Sequence, residues 1–344
     1  MDAFLGLPRG RLTELIERAA DELGMSPAAV EKDFWVCWVM GEMFRSSEGE
    51  YLTLKGGTSL SKCWDLIERF SEDVDLVVDR ARLGFGPENA PETATSRNEQ
   101  GRRADAVLER CRQHVHDVLL PVLRSAVRDR LSNGTGFVAE LDPDAADQQT
   151  IILRYESLLA AVGHVRPVVK IELGARSGIE PHEVRPVRPY VAVLKDAALE
   201  ADALSVRAVA PQRTFWEKVS LLHEANHRTD GPRNRLARHF YDLWCLERGG
   251  VAATALESPS LFEEVVAHRR VYFRQASQQS LVRGSVRLVP HASIPAWAAD
   301  YEAMLPAMFI GEPPTFEELM QDIQALEGRI NEPQPGTTLG SRSS

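Results

Sequence analysis

Two aspartates in the first quarter of the chain are spaced for shared chemistry. Asp73 and Asp75 alternate with Val74 and Leu76, a pattern typical of a β-strand, so both carboxylates point to the same face. Two carboxylates on one face suit a hard divalent cation such as Mg2+. The pattern therefore predicts a metal site that contains Asp73 and Asp75.

A glycine-rich turn precedes these aspartates by one short helix. Residues 56–59 read Gly-Gly-Thr-Ser, and such a turn at a helix start offers backbone N–H groups to phosphates. Beside a metal, it favours a site that holds a metal-bound triphosphate for nucleotidyl transfer.

A two-metal site normally has a third carboxylate on a neighbouring strand. Glu172 shares a strand face with Lys170. This pair would also fit a structural role, as a salt bridge on a half-exposed strand. We expect Glu172 to lie beside Asp73 and Asp75, to bind metal with them, and to orient or deprotonate an attacking hydroxyl.

One further motif matches a known signature. The run from His223 to His227 reads HEANH, which fits the HEXXH pattern of zinc metalloproteases. No third histidine follows at the extended-motif spacing, and a polar turn ends the segment. We therefore expect these histidines to serve another role.

Composition narrows the class of protein. The chain has 344 residues, 44% hydrophobic and 26% charged, as in a globular protein of one or two domains. No apolar run is long enough to span a membrane, the N-terminus lacks a secretory signal, and four scattered cysteines predict reduced, buried thiols. We expect a cytoplasmic protein without membrane partners.

The charge balance limits the partners. A net charge of −10 argues against a broad basic surface for nucleic acid. Arginines nevertheless cluster between residues 97 and 130 and between 228 and 238. Such runs are more often solvated helix faces, but the arginines could also bind RNA or an acidic partner.

Periodicity predicts mixed secondary structure up to about residue 195 and helices after it. Residues 84–101 are polar and rich in Pro and Gly, which predicts a loop. Ser26 and Pro27 are typical of a helix start, Pro121 of a kink, and Thr315 with Glu318 of a capping box. The predicted helices cover 9–24, 27–44, 59–69, 102–131, 198–206, 214–227, 235–248, 259–277 and 295–305, with a last helix opening at Thr315. The predicted strands cover 51–55, 74–79, 136–141, 150–156, 166–174 and 189–194.

Several ordered motifs resemble the AbiEii/AbiGii toxin family of nucleotidyltransferases, in the DNA polymerase β-like superfamily. They span about residues 25–250 and are most specific from Gly56 to Leu76. The resemblance rests on Glu31-Lys32-Asp33-Phe34-Trp35, Leu54-Lys55-Gly56-Gly57-Thr58-Ser59-Leu60, Arg69-Phe70-Ser71-Glu72-Asp73-Val74-Asp75-Leu76, Val169–Ser177, Thr214-Phe215-Trp216-Glu217-Lys218 and Arg238-His239-Phe240-Tyr241-Asp242-Leu243.

The resemblance implies an α+β fold: a polymerase β-like core, with a mixed sheet and flanking helices, followed by a helical C-terminal domain. The pattern of predicted elements places a boundary near residues 195–210. We therefore expect a catalytic domain with N-terminal helices (1–200) and a helical domain (201–332), and the composition of the last residues predicts a disordered tail (333–344).

The same resemblance implies a toxin of a type IV toxin–antitoxin system that acts in phage defence. Its activity would be Mg2+-dependent transfer of a nucleotide from an NTP to RNA, such as tRNA, or to a protein, and a cognate antitoxin would be its partner. The residues implied to contact the nucleotide are Gly56, Gly57, Thr58, Ser59, Lys218 and Asp242, and those implied in catalysis are Asp73, Asp75, Glu172 and Lys218.

Two other functions compete with this one. A metal-dependent nuclease also clusters acids with a lysine, but the order Lys170-Ile171-Glu172 reverses the usual arrangement and leaves the glycine turn unexplained. A non-enzymatic nucleotide-binding regulatory protein would not need three ordered acids.

Overall fold

In a computed structural model of the protein, the described residues are 1–131, 136–159, 166–195, 204–227, 232, 234–273 and 280–332. They divide into two compact units. The first comprises Met1–Pro211 together with Ala307–Glu312, and the second comprises Gln212–Pro306 and the described residues from Pro313 on. The predicted tail at 333–344 lies outside the described residues.

The first unit begins with three helices: α1 (Asp2–Leu5), α2 (Arg9–Leu23) and α3 (Pro27–Arg45). As predicted, Ser26 caps α3: its hydroxyl accepts a hydrogen bond from the Ala29 N–H at 3.2 Å, and Pro27 occupies the first turn. The long α3 is buried from Ala29 to Met43, so it forms the central core helix of this unit.

Seven strands of the described residues form one mixed sheet in the order β3-β4-β5-β2-β1-β7-β6. The pairs β2–β5 and β1–β7 are parallel, and the other neighbours are antiparallel. The strands are β1 (Leu52–Lys55), β2 (Asp73–Val78), β3 (Val138–Leu141), β4 (Thr150–Arg154), β5 (Val168–Gly174), β6 (His182–Val187) and β7 (Leu204–Val209).

Three further helices in the described part of the chain belong to the first unit. Helix α4 (Gly56–Lys62) follows β1, and α5 (Arg97–His114) leads through a π-helical turn at Val115–Leu119 into α6 (Leu120–Arg130). The wider turn ends at Leu119, two residues before Pro121, which has no N–H for the helical ladder. The predicted kink is thus a π-turn, and the helix begins five residues inside the predicted loop, at Arg97, because Ser96 caps it.

Three predicted elements were wrong. The helix predicted at 59–69 begins at Gly56 and ends at Lys62, because Asp65 turns the chain with φ 52° and residues 68–70 run extended. The strand predicted at 189–194 is a 3-10 helix at Tyr190–Leu194; a short apolar run does not distinguish the two. Residues 204–206, predicted as helix, belong to β7, whose alternate side chains Leu204 and Val206 are buried; the rest of that prediction, 198–203, lies outside the described residues.

The described part of the second unit consists of helices and their connections. The capping box predicted at Thr315 and Glu318 is confirmed. The helix predicted at 259–277 ends at Tyr272, where Phe273 is its C-cap; residues 274–277 lie outside the described residues. These helices are α7 (Pro211–Ala225), α8 (Arg238–Arg248), α9 (Val251–Leu256), α10 (Pro259–Tyr272), α11 (Ile294–Glu302), α12 (Leu305–Met308) and α13 (Phe316–Asn331), the ends of α7 and α12 extending into the first unit.

All four cysteines are buried and free, as predicted. No helix among the described residues is long and apolar enough to cross a membrane. The predicted α+β fold with a mixed sheet is confirmed.

Candidate active site

The three predicted acids meet on adjacent strands. In the parallel pairing of β2 with β5, Asp75 lies beside Glu172 and Asp73 lies beside Lys170. Register partners point to the same face, and neighbouring strands are about 4.8 Å apart. Asp73 and Asp75 are half-buried, Glu172 is exposed over half its side chain, and the intervening Val74, Leu76 and Ile171 are buried on the other face. The structure therefore places Glu172 beside Asp75, where a third carboxylate was expected, whereas metal binding by these acids stays a prediction.

Like charge dominates this face. Burial raises the pKa of Glu172, and the carboxylates of Asp75 and Asp73 raise it further, against the opposing charges of Lys170 and Lys55. A hard divalent cation prefers oxygen ligands, and binding one would relieve the repulsion among these three carboxylates. The residues thus fit a divalent metal, although no group of three His, Cys, Asp or Glu side chains in the described part of the chain already converges on an ion-sized space.

Lys170 partly balances the acids from within the same face. Its Nζ lies 3.3 Å from Asp142 Oδ2 and 3.8 Å from Glu172 Oε1. Burial alone would lower the pKa of Lys170, but the carboxylates of Glu172, Asp142 and Asp73 outweigh it and raise the pKa. Lys170 therefore stays charged and is already engaged with acids of its own sheet.

The two glycines of the turn make room for side chains. Gly56 has φ +74°, and a Cβ at this position would overlap the Asp75 carboxylate. At Gly57 a Cβ would lie 2.6 Å from Arg69 Nη2 and 2.8 Å from Ser71 Oγ. Both residues are glycine because the strand that carries the acids, and the segment before it, pack directly against the start of α4.

The two hydroxyl residues of the turn are buried. Thr58 Oγ1 donates a hydrogen bond to the main-chain carbonyl of Asp73 and lies 3.0 Å from Ser71 Oγ. Ser59 is fully buried, and its hydroxyl has no hydrogen-bond partner among the described residues. Thr58 thus positions the first residue of β2, while the predicted phosphate contacts of Gly56, Gly57, Thr58 and Ser59 stay predictions.

Helix α3 supports both sides of the acid-bearing strand with buried charges. Lys32 Nζ donates to Glu72 Oε2 at 2.6 Å, one residue before Asp73. Asp33 pairs with Lys62 at the end of α4, and both side chains are almost fully buried. These contacts fix the beginning of β2 and the end of α4 relative to one core helix.

Two further contacts extend this support to the loops. Asp33 Oδ2 accepts a hydrogen bond from Tyr190 N at 2.6 Å, and Glu31 accepts from Ser157 Oγ and Leu158 N, both at 2.6 Å. Sequence reasoning gave these acids no role. The signal was available, because charged residues at consecutive positions of an apolar helix are rarely buried without partners.

Lys218 and Asp242 meet within the second unit. Helices α7 and α8 bring Lys218 Nζ to 2.6 Å from Asp242 Oδ2, and both residues are buried. His239 Nδ1 lies 3.3 Å from Lys218 Nζ. Burial, reinforced by the Lys218 charge, lowers the pKa of His239 to about 3 despite Asp242, so this imidazole is neutral and can accept from the ammonium group. Any contact of Lys218 or Asp242 with nucleotide stays a prediction.

The HEXXH segment is part of a hydrogen-bond network. His223 Nδ1 accepts from Arg287 N at 3.0 Å, so its Nε2 donates to Ser280 Oγ at 3.1 Å. His227 Nδ1 donates to the His223 carbonyl at 2.8 Å, and its Nε2 lies 3.2 Å from Ser280 Oγ. Glu224 pairs with Arg269 at 2.7 Å. These contacts assign the motif to packing of the helical unit.

Several arginines of the predicted cluster also have partners. Arg103 pairs with Glu99 and Arg112 with Glu109, each at 2.6 Å, and Arg124 donates to the Ala139 carbonyl at 2.9 Å. The described part of this run is therefore mainly a charge-balanced helix face.

Two comparisons with known proteins bear on the fold and on the family of the chain. Over its fold, the chain is similar to MenT4, a nucleotidyltransferase toxin from Mycobacterium tuberculosis H37Rv, with a TM-score of 0.54 and 18% sequence identity over 95% of this chain and 91% of that one. No curated protein sequence matches the chain. The sequence profile of the nucleotidyl transferase AbiEii toxin family, type IV toxin–antitoxin system, matches residues 38–322. The chain therefore belongs to the AbiEii family and is a nucleotidyltransferase.

Proposed function

We propose that the protein transfers a nucleotide from an NTP to a hydroxyl group of RNA, such as a tRNA, in a reaction that requires Mg2+. The observation that carries the proposal is the register of β2 with β5, which sets Glu172 beside Asp75 and two register positions from Asp73. This arrangement brings three carboxylates from two distant segments to one face, as a two-metal phosphoryl-transfer site requires.

Asp73, Asp75 and Glu172 would hold the metal. When bound, Mg2+ would neutralise charge on the attacking and leaving oxygens of the displacement. In the reaction, the acceptor oxygen forms a bond to the α-phosphorus, the α–β phosphoanhydride bond breaks, and pyrophosphate leaves with the electron pair.

Glu172 is suited to take the proton of the acceptor hydroxyl. In the metal-free protein, burial and the carboxylates of Asp75 and Asp73 raise its pKa. A carboxylate that lies beside the metal can orient or deprotonate the acceptor hydroxyl. Glu172 is also the most exposed of the three acids, which leaves it open to an incoming acceptor.

The remaining predicted contacts follow from the family. Lys218 would contact phosphates and Asp242 would orient it, which the 2.6 Å ion pair between them supports. Residues 56–59 would contact the triphosphate through their backbone N–H groups. As in a type IV system, a cognate antitoxin would restrain the enzyme, which would work in the cytoplasm, where NTPs and tRNA are found.

Incubation with each α-labelled NTP, Mg2+ and total RNA tests the proposal. Wild type is expected to label RNA with at least one NTP, and Asp73→Asn and Asp75→Asn are expected to abolish labelling. Shortened RNA without label would indicate a nuclease instead, NTP binding without transfer would indicate a regulatory protein, and label on protein alone would show that the acceptor is not RNA.

A further inference from the structure

A lysine at the end of β1 shares the face of the acids. Lys55 is the last residue of β1, and in the antiparallel pairing with β2 it is the register partner of Asp75. The row across the sheet is therefore Lys55, Asp75 and Glu172 on β1, β2 and β5. Lys55 is partly exposed, and the next residue is Gly56, whose backbone lies against the Asp75 carboxylate.

The charge of Lys55 reaches the site but has no partner there. It acts on Glu172 from across β2, where it opposes the rise in the pKa of that carboxyl. Within the described ranges, Lys55 forms no ion pair or side-chain hydrogen bond. Lys170 on the same face differs, because it is engaged with Asp142 and Glu172.

The ammonium group of Lys55 lies beside carboxylates that would bind metal, and this position would let it contact the phosphates of a metal-bound substrate. Once a cation satisfies Asp73, Asp75 and Glu172, these acids no longer serve Lys55 as counter-charges. A triphosphate held by the same cation brings several anionic oxygens to that face, and a lysine can reach them because its four-carbon stem carries three donors.

We propose that Lys55 is a substrate-binding residue whose ammonium group contacts the phosphate chain of the NTP. This inference rests on the proposed function, since it requires a triphosphate on the acid-bearing face. The proposed contact comes from β1 and is separate from the phosphate contact expected of Lys218. The ammonium group of Lys218 is paired with Asp242.

Binding of inorganic triphosphate tests the assignment without knowledge of the base. Titration calorimetry of the full chain in Mg2+ would compare wild type, Lys55→Gln, Lys55→Arg and Lys195→Gln, an exposed lysine of the same unit. A charge-assisted hydrogen bond predicts that Lys55→Gln binds triphosphate roughly tenfold or more weakly. Lys55→Arg is expected to retain most of the affinity, and Lys195→Gln all of it.

The outcomes separate this inference from the proposed function. If wild type labels RNA and binds triphosphate but Lys55→Gln binds it equally well, the contact is refuted and Lys55 only balances the carboxylates. If wild type neither labels an acceptor nor binds triphosphate, both proposals fall. Circular dichroism checks folding, and since the Lys55 side chain has no partner among the described residues, Lys55→Met is a second neutral variant with the same expected loss.

Discussion

At the scale of single residues, the candidate site combines repulsion with close packing. Asp75 lies between Glu172 on one neighbouring strand and Lys55 on the other, and its carboxylate lies where Gly56 lacks a Cβ. Like charges at adjacent positions of a sheet are unfavourable, so the pairing of Asp75 with Glu172 is expected to lower the stability of the metal-free protein.

Replacing Glu172 with Gln should separate binding from stability. In metal-free protein, the loss of one repelling charge is expected to increase the free energy of unfolding by roughly 0.5–1 kcal/mol, while added Mg2+ should stabilise wild type more than the variant. Thermal unfolding with and without Mg2+ measures both effects. Glu183→Gln, at an exposed position of β6, is the control, and a destabilised Glu172→Gln would contradict the electrostatic account.

Gly56→Ala should impair the reaction beyond its effect on folding. A Cβ would displace the Asp75 carboxylate, and φ +74° adds a backbone strain of about 1–2 kcal/mol. Gly84→Ala is a matched control, because Gly84 has φ +86° but no atom within 4 Å of the added Cβ. Chemical denaturation should show similar losses of stability for both, whereas nucleotidyl transfer should fall tenfold or more only in Gly56→Ala; equal activities would refute the role of this contact.

At the scale of elements, helix α3 joins the parts of the catalytic unit through buried charges. Its apolar periodicity predicted a helix at 27–44, and the structure shows that this helix is buried from Ala29 to Met43. The partners Glu72 and Lys62 were beyond prediction from the sequence, because a buried charge signals that a partner exists without indicating which segment supplies it.

Asp33→Ala should strongly destabilise the protein. The substitution leaves the Lys62 ammonium group buried without its counter-charge and the Tyr190 N–H without its acceptor, at an expected cost of about 3–5 kcal/mol. Denaturant unfolding measures the change. The double variant Asp33→Leu with Lys62→Met should lose less than the single variant, and Glu14→Ala, from an exposed pair on α2, should lose under about 0.5 kcal/mol. A double variant less stable than Asp33→Ala would contradict this account.

The α7–α8 pair should give the helical unit a pH dependence. His239 has a pKa of about 3 in the folded protein but about 6.5 when unfolded. The unfolded state therefore binds more protons between these values, so the stability contributed by neutral His239 is complete above pH 6.5 and is lost as the pH falls. From pH 7 to pH 5, wild type should lose about 2 kcal/mol more than His239→Gln.

Denaturant unfolding at the two pH values measures this difference. His291→Gln is the control, because His291 is exposed, and it should follow the wild type. Parallel losses in wild type and His239→Gln would show that His239 is not held neutral.

At the scale of the whole molecule, the first compact unit is built from two segments that are far apart in the chain. After Pro306 the chain adds Ala307–Glu312 to the first unit. There Phe70 N donates to the Met308 carbonyl at 2.7 Å, and Ile310 N donates to the Glu68 carbonyl at 3.0 Å. A segment near the C-terminus thus pairs with the residues that lead into β2.

Ile310→Pro should test this pairing. Proline removes the N–H that bonds to the Glu68 carbonyl, and the expected loss is about 1 kcal/mol with faster hydrogen exchange at the Phe70 amide. Ile310→Ala shortens the side chain but keeps the N–H, so it should leave that amide protected. Unchanged exchange in Ile310→Pro would show that the pairing does not hold the segment before Asp73.

The sequence by itself determined the local features: the core helix α3 with its cap, the capping box of α13, and the placement of Asp73 and Asp75 on one strand face. These follow from side-chain periodicity and from backbone preferences over a few residues. Only the tertiary structure decided which strand lies beside which: it placed Glu172 and Lys55 on either side of Asp75, made β7 a strand, and gave the HEXXH histidines a packing role. The physical reason is that pairing joins segments far apart in the chain, and their register depends on how the whole core packs.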